Sequence, residues 1–261
     1  MFKHFKLSLS LIKLNILSAM EYRVSFVLQV IGMLINDVGL IFMWYIFFQK
    51  FNSVNGWQFS DTILVFAVSC ANFGLFRIIA AGAEEINYYI NRGQFDHFLT
   101  LPKSPLWQVS LSTSNISAIG DFVCGIALFF FFTDVTWVTT ATFVIATVAT
   151  AVTMYSYVVA TQSLGFYFGN FEETAERLFG VMLGLTFYPS TSIFGFLKLL
   201  TFTIIPVFFI SWAPVSILKI FDWRLFIGMI AFAFVSFLIA RTLFYKGLKR
   251  YESGNLIHVK L

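Results

Sequence analysis

The sequence predicts an all-α, polytopic membrane protein, and three observations predict it. Only 11% of the 261 residues are charged, against about 25% in a soluble domain, while 20% are aromatic, including 35 Phe. The mean hydropathy is +0.83. Long apolar runs alternate with short polar loops along the whole chain, with no linker-like tract, repeat or soluble segment between them. At roughly 20 residues per span, the length accommodates about six helical crossings in one domain over 1–261. The net charge of +4 fits a loop bias towards the cytoplasm and gives no sign of nucleic-acid binding.

Residues 2–20 place Phe5, Leu9, Ile12 and Ile16 on one side and Lys6, Ser10, Lys13 and Asn15 elsewhere. That spacing predicts an interfacial helix lying along the inner leaflet. No compact apolar core precedes a small-residue cleavage site, so no cleaved signal is expected. A first span is predicted over 24–48, carrying Asn36 and Asp37 near mid-depth. A polar loop with Asn55-Gly56 and Trp57 follows. The second span, 62–83, holds Asn72 and Arg77. The third, 108–132, holds Asp121. The fourth is predicted over 139–163, and the fifth from about Leu178 to Tyr188.

Residues 194–219 are apolar enough to cross, but Pro206 and Pro214 interrupt them. A crossing there would put Lys246, Lys249, Arg250 and Lys260 outside. An outer re-entrant hairpin instead leaves six spans, a last one over 225–244, and both termini in the cytoplasm, as the positive-inside rule favours.

The loop 84–107 is the most informative stretch. Gly93 can take a positive φ and end a helix. Asp96 suits the start of a new one. Phe95, Phe98 and Leu99 are expected on one face, and Pro102 and Pro105 to stop the helix and turn the chain back. Such a helix can receive force from a motor protein; the same pattern also fits a loop resting on lipid headgroups. If a partner is the reason for this pattern, its surface buries the three apolar side chains.

Gly93-Gln94-Phe95-Asp96-His97-Phe98-Leu99-Thr100-Leu101-Pro102, then Gly120-Asp121, then the tail from Phe244 to Asn255 give the chain a likeness to a known family. It resembles the permease subunits of type-2 ABC exporters, in the bacterial branch of short six-span permeases with a separate ATPase. The likeness runs through the chain in span order. Gly93, Asp96, Leu99, Pro102 and Gly120-Asp121 match positions of the family's pattern. The slot at Leu101, often basic in the family, is apolar here, with the charge at Lys103. The resemblance implies a coupling helix in the loop 84–107 that touches the ATPase. It also implies a second permease subunit, a bacterial cytoplasmic-membrane location, and ATP and Mg bound by the partner and not by this chain.

No phosphate-cradling Gly-x-x-x-x-Gly-Lys-Ser/Thr segment is present, so an ATP-driven transporter of this sequence needs another chain for hydrolysis. A catalytic alternative starts from Glu172-Glu173-Thr174-Ala175-Glu176-Arg177, which fits the Glu-Glu-x-x-x-Arg pattern of intramembrane proteases. The only histidines are His4, His97 and His258, none in a span after Arg177, so the charged stretch reads better as the cap of the fifth span. A non-transporting scaffold is the other alternative. Asp37, Arg77 and Asp121 line a path, or pair with one another to lock the bundle; their charges favour pairing. Cys70 and Cys124 read as packed small hydrophobes. The paucity of polar groups suggests an amphipathic or hydrophobic cargo.

Overall fold

The computed structural model describes residues 2–252 apart from 52, 55, 189, 191, 192 and 194, with side chains from residue 10 onwards. The basic residue Lys260 and the Asn255 end of the tail pattern lie outside the described residues. The first part of the chain forms α1 (Phe2–Met20), α2 (Arg23–Lys50), α3 (Phe59–Ala80), a 3-10 turn (Ala81–Glu85), α4 (Ile86–Asn91), α5 (Asp96–Thr100), α6 (Pro105–Ser110) and α7 (Ala118–Phe132). There follow α8 (Trp137–Ser163), α9 (Gly165–Phe168), α10 (Glu172–Thr186), α11 (Gly195–Thr203), a π-helical turn (Phe208–Trp212), α12 (Ala213–Lys219) and α13 (Trp223–Leu248).

Four of these stretches are long and apolar enough to cross a membrane: Arg23–Lys50, Phe59–Asn91, Trp137–Phe168 and Trp223–Leu248. A fifth arises if the bent pair Gly195–Thr203 and Phe208–Lys219, angled by 73°, is taken as one span. α3 and α8 form the buried centre, and α2 and α13 expose most of their surface. α3 is apolar on every side, as a helix surrounded by others must be. α8 turns Ala146, Ala149, Thr150 and Thr153 inward, and small residues let membrane helices approach closely. The Thr150 and Thr153 hydroxyls donate to the carbonyls of Ala146 and Ala149, so each satisfies itself on its own helix.

Glycine sets the seam around α7. A Cβ on Gly125 of α7 would collide with the Ala71 nitrogen of α3, and one on Gly120 would lie 2.7 Å from the Val30 oxygen of α2. Three helices therefore touch backbone to backbone around α7.

Two expected spans take a different form. The third, placed over 108–132, is divided into α6 and the 15-residue α7 by an irregular stretch from Leu111 to Ser117. Ser112, Thr113, Ser114 and Asn115 supply the reason, because short polar side chains compete for backbone groups and disfavour helix. The Asn115 amide donates to the Arg77 carbonyl, and Asn15 of α1 donates to the Leu111 carbonyl and the Ser114 hydroxyl. The fifth begins at Glu172, not Leu178, with two glutamates in its first turn, and is also 15 residues long.

The segment 195–219 enters the bundle as a bent plug. Trp212 donates to the Tyr188 carbonyl at 2.9 Å, Ser211 to that of Thr186 at 2.9 Å, and Asn72 of α3 to that of Ile210 at 3.0 Å. Lys219 closes it with a 2.6 Å ion pair to Asp61, at the start of α3.

Candidate functional site

The loop 84–107 is ordered by its own sequence. Gly93 has φ +64°, and its amide and that of Gln94 reach back to the Ile90 and Tyr89 carbonyls, which ends α4. Asp96 is the first residue of α5. Leu101 is extended, as a residue before proline prefers. Pro105 does not stop a helix as expected; it occupies the first turn of α6, where its missing N–H costs nothing.

The three apolar residues of the loop do not share a face. Phe95 is fully buried and Phe98 nearly so, whereas Leu99 is 44% exposed. The groove that a partner was expected to supply comes from this chain. Phe95 meets Phe166 of α9, Phe244 of α13 and Tyr251 beyond it, with ring centroids 5.7, 5.9 and 5.7 Å away. Phe98 lies edge-on to Tyr89 at 5.0 Å. Gly247 admits the Phe166 ring, since a Cβ there would come within 2.8 Å of it.

Further bonds close the block. Ser104 and Tyr245 share a 2.5 Å hydrogen bond, the Tyr167 hydroxyl donates to the Leu243 carbonyl, and Arg92 pairs with Glu172 at 3.3 Å. Burial pushes the Tyr251 phenol up, and the Asp96 carboxylate beside it acts in the same direction. The loop 84–107, α9 and the end of α13 are thus one aromatic unit, with the start of α10 tied to it by the Arg92–Glu172 pair. Gln94, His97, Leu99, Thr100, Pro102 and Ser104 remain on its open side.

The intramembrane charges are arranged differently from the expected pairing. Arg77 binds neither aspartate. Its Nε donates to Glu84 Oε1 at 2.7 Å and its Nη2 to Oε2 at 2.5 Å, with Phe73 under the guanidinium at 4.9 Å. Glu84 is seven residues on, in the 3-10 turn that follows α3. That spacing was the available signal, and the nearer carboxylate wins because a bidentate fork needs no reach across the bundle. Asp37 and Asp121 are buried and, among the described residues, neither forms an ion pair. Cys70 and Cys124, both buried free thiols, lie beside Asp37. Nothing local in the sequence connects these residues, which come from three helices.

The protease-like stretch forms no site among the described residues. Arg177 pairs with Glu173 on an exposed helical turn, and Glu172 is held by Arg92. His97 packs edge-on to Phe98 on the open side of the loop.

Comparison with known families decides the affiliation. The family model of the ABC-2 family transporter proteins matches residues 34–254, most of the chain. The chain belongs to that family. It is accordingly the membrane permease component of an ABC transporter, of a kind that works with ABC ATPase partners. No match was found among curated proteins or solved structures. In this ABC-2 permease, two of the stretches that carry the family likeness, Gly93–Pro102 and the segment from Phe244, are packed against each other through Phe95. The third, Gly120-Asp121, forms the α7 seam.

Proposed function

We propose that this permease moves an amphipathic or hydrophobic substrate outward, driven by ATP hydrolysed with Mg in a separate ATPase that docks on the loop 84–107. The observation that carries the reading is the aromatic block. Its open side offers Leu99 and Pro102, while Phe95 ties the same corner to α9 and α13. A push on the open side is therefore delivered to α9 and α13 instead of being lost in a loose loop. In this reading Gly93 and Asp96 shape the corner, Phe95 and Phe98 root it, and Leu99 and Pro102 meet the ATPase. An apolar groove between α3, α6, α8 and α13, lined by Phe76, Ile79, Trp107, Val148, Tyr155 and Phe237, suits a hydrophobic cargo. A second permease subunit, identical or homologous, completes the pathway as a partner of this single membrane domain.

Leu99→Ala tests the docking. A half-exposed anchor seated in a partner commonly contributes about 1–2 kcal/mol, so capture of the ATPase in detergent should weaken roughly tenfold. The permease itself keeps its melting temperature, because Leu99 has little to lose within the chain. Unchanged capture and unchanged ATPase stimulation in liposomes for both Leu99→Ala and Leu99→Asp would remove the loop from the docking surface.

The orientation is proposed with both termini and the loop 84–107 in the cytoplasm of a bacterial inner membrane, and residues 49–61 outside. α10 starts beside Arg92 and α13 ends beside Ser104, so both have one end at the loop. The plug 195–219 between their far ends then enters and leaves on the outer side, which supports six spans. With Cys70 and Cys124 replaced by serine, Ser53→Cys should react with an impermeant maleimide in intact cells and Glu252→Cys should not. Labelling of position 252 from outside would overturn the topology.

A further inference from the structure

The seam between α2, α3 and α7 holds a group of side chains that neither docking nor transport explains. We propose that Asp37, Cys70 and Cys124 form an intramembrane site for one thiophilic divalent cation, with zinc the ion their chemistry fits.

One carboxylate oxygen of Asp37 and the Sγ atoms of Cys70 and Cys124 all lie within 4.8 Å of one another, and all three residues are buried. Each comes from a different helix. The glycine contacts of α7 are the reason such short side chains can converge: Gly125 follows Cys124 by one residue and abuts Ala71, the neighbour of Cys70, while Gly120 abuts α2. Two thiols and a carboxylate are a donor set of zinc sites, and soft sulfur ligands exclude magnesium and calcium.

Unpartnered oxygens give a second, independent reason. Asp37 is 2% exposed and, among the described residues, its Oδ2 has no hydrogen-bond partner; Asp121 is 1% exposed and its Oδ2 has none either. A buried acceptor left without a partner is costly, and a cation bound to the Asp37 carboxylate supplies one. Asp121, three residues before Cys124 on the same face of α7, lies outside the three-ligand cluster.

The binding step balances simply. Each thiol gives up its proton to solvent as its sulfur bonds the ion, so up to two protons leave per cation and no electron moves. The result is a clasp. α2 buries only Asp37, Trp44 and Phe48, and the ion would tie its midpoint to the α3–α7 pair.

The full chain, purified in detergent and stripped with a chelator, is titrated with cadmium, whose thiolate bonds absorb in the ultraviolet, and with zinc. The expected result is one ion per chain, a cadmium–thiolate band, proton release into a weak buffer, and a raised melting temperature. Asp37→Asn should weaken binding about tenfold or more, and the double change Cys70→Ser, Cys124→Ser should remove the band. If the double variant does not fold, wild-type protein serves: saturating zinc should protect both thiols from alkylation in partly unfolding detergent. Absence of the band in the wild type at saturating cadmium, its persistence in the folded double variant, unchanged affinity in Asp37→Asn, or no protection of the thiols would each overturn the site. No ATPase takes part, so these outcomes are independent of the docking surface.

Discussion

Phe95→Ala should destabilise the isolated permease by about 3–5 kcal/mol, the usual loss for a buried phenylalanine truncated to alanine. The side chain is fully buried and is the hub at which Phe98, Phe166, Phe244 and Tyr251 meet. Its removal leaves a cavity whose walls come from three separate segments, so no single rotamer change can refill it. The melting temperature in detergent should fall before any partner is added. The tail beyond α13 should loosen as well, and trypsin should then cut faster at Lys249 and Arg250. Phe95→Leu should recover much of the loss, because it restores most of the volume without the ring contacts. A surface anchor for the ATPase behaves in the opposite way: the permease keeps its melting temperature and only capture is lost. That pattern for Phe95→Ala, intact stability with absent capture, would show that the aromatic block does not hold the corner together.

Arg77→Leu should cost about 2–3 kcal/mol. Removing one member of a fully buried pair costs about 3–5 kcal/mol. Here the Arg77 and Glu84 side chains are 24% and 21% exposed, so solvent screening reduces the loss. The guanidinium also leaves the faces of Phe73 and Phe179. Adding Glu84→Gln removes the stranded carboxylate and should restore part of the stability, a coupling that a double-mutant cycle in melting experiments reads directly. Asp37→Asn or Asp121→Asn in the same background should simply add its own effect. Recovery by either aspartate change, with none from Glu84→Gln, would reinstate the pairing expected from charge balance along the spans and refute the fork to Glu84.

The sequence by itself determined the class of this protein and the placement of most of its helices. Composition depends on no contact: a chain with 35 Phe and few charges cannot be stabilised as a soluble domain. Local chemistry was equally readable at Gly93, Asp96 and Pro102, because a positive φ, an acidic first turn and a missing N–H act within a few residues of themselves. The polar stretch 112–115 was visible, but its consequence was not. Whether it continues a span or interrupts one depends on whether other backbone and side-chain groups, here Arg77 and Asn15, are present to receive it.

Only the tertiary structure decided which side chains meet. Phe95 was legible as an apolar residue too large for open solvent, yet the surface covering it is drawn from α9, α13 and Tyr251, more than 70 residues away. Asp37 was legible as a charge at mid-depth, but its neighbours were not, since Cys70 and Cys124 reach it from other helices. The physical reason is rotation and register. A helix of apolar residues specifies that it will be buried, and hardly specifies which face meets which neighbour. That choice was made by close approach, where Gly120 and Gly125 let α7 settle against α2 and α3, and by the short reach of Arg77, which took the carboxylate seven residues along the chain in preference to two others across the bundle.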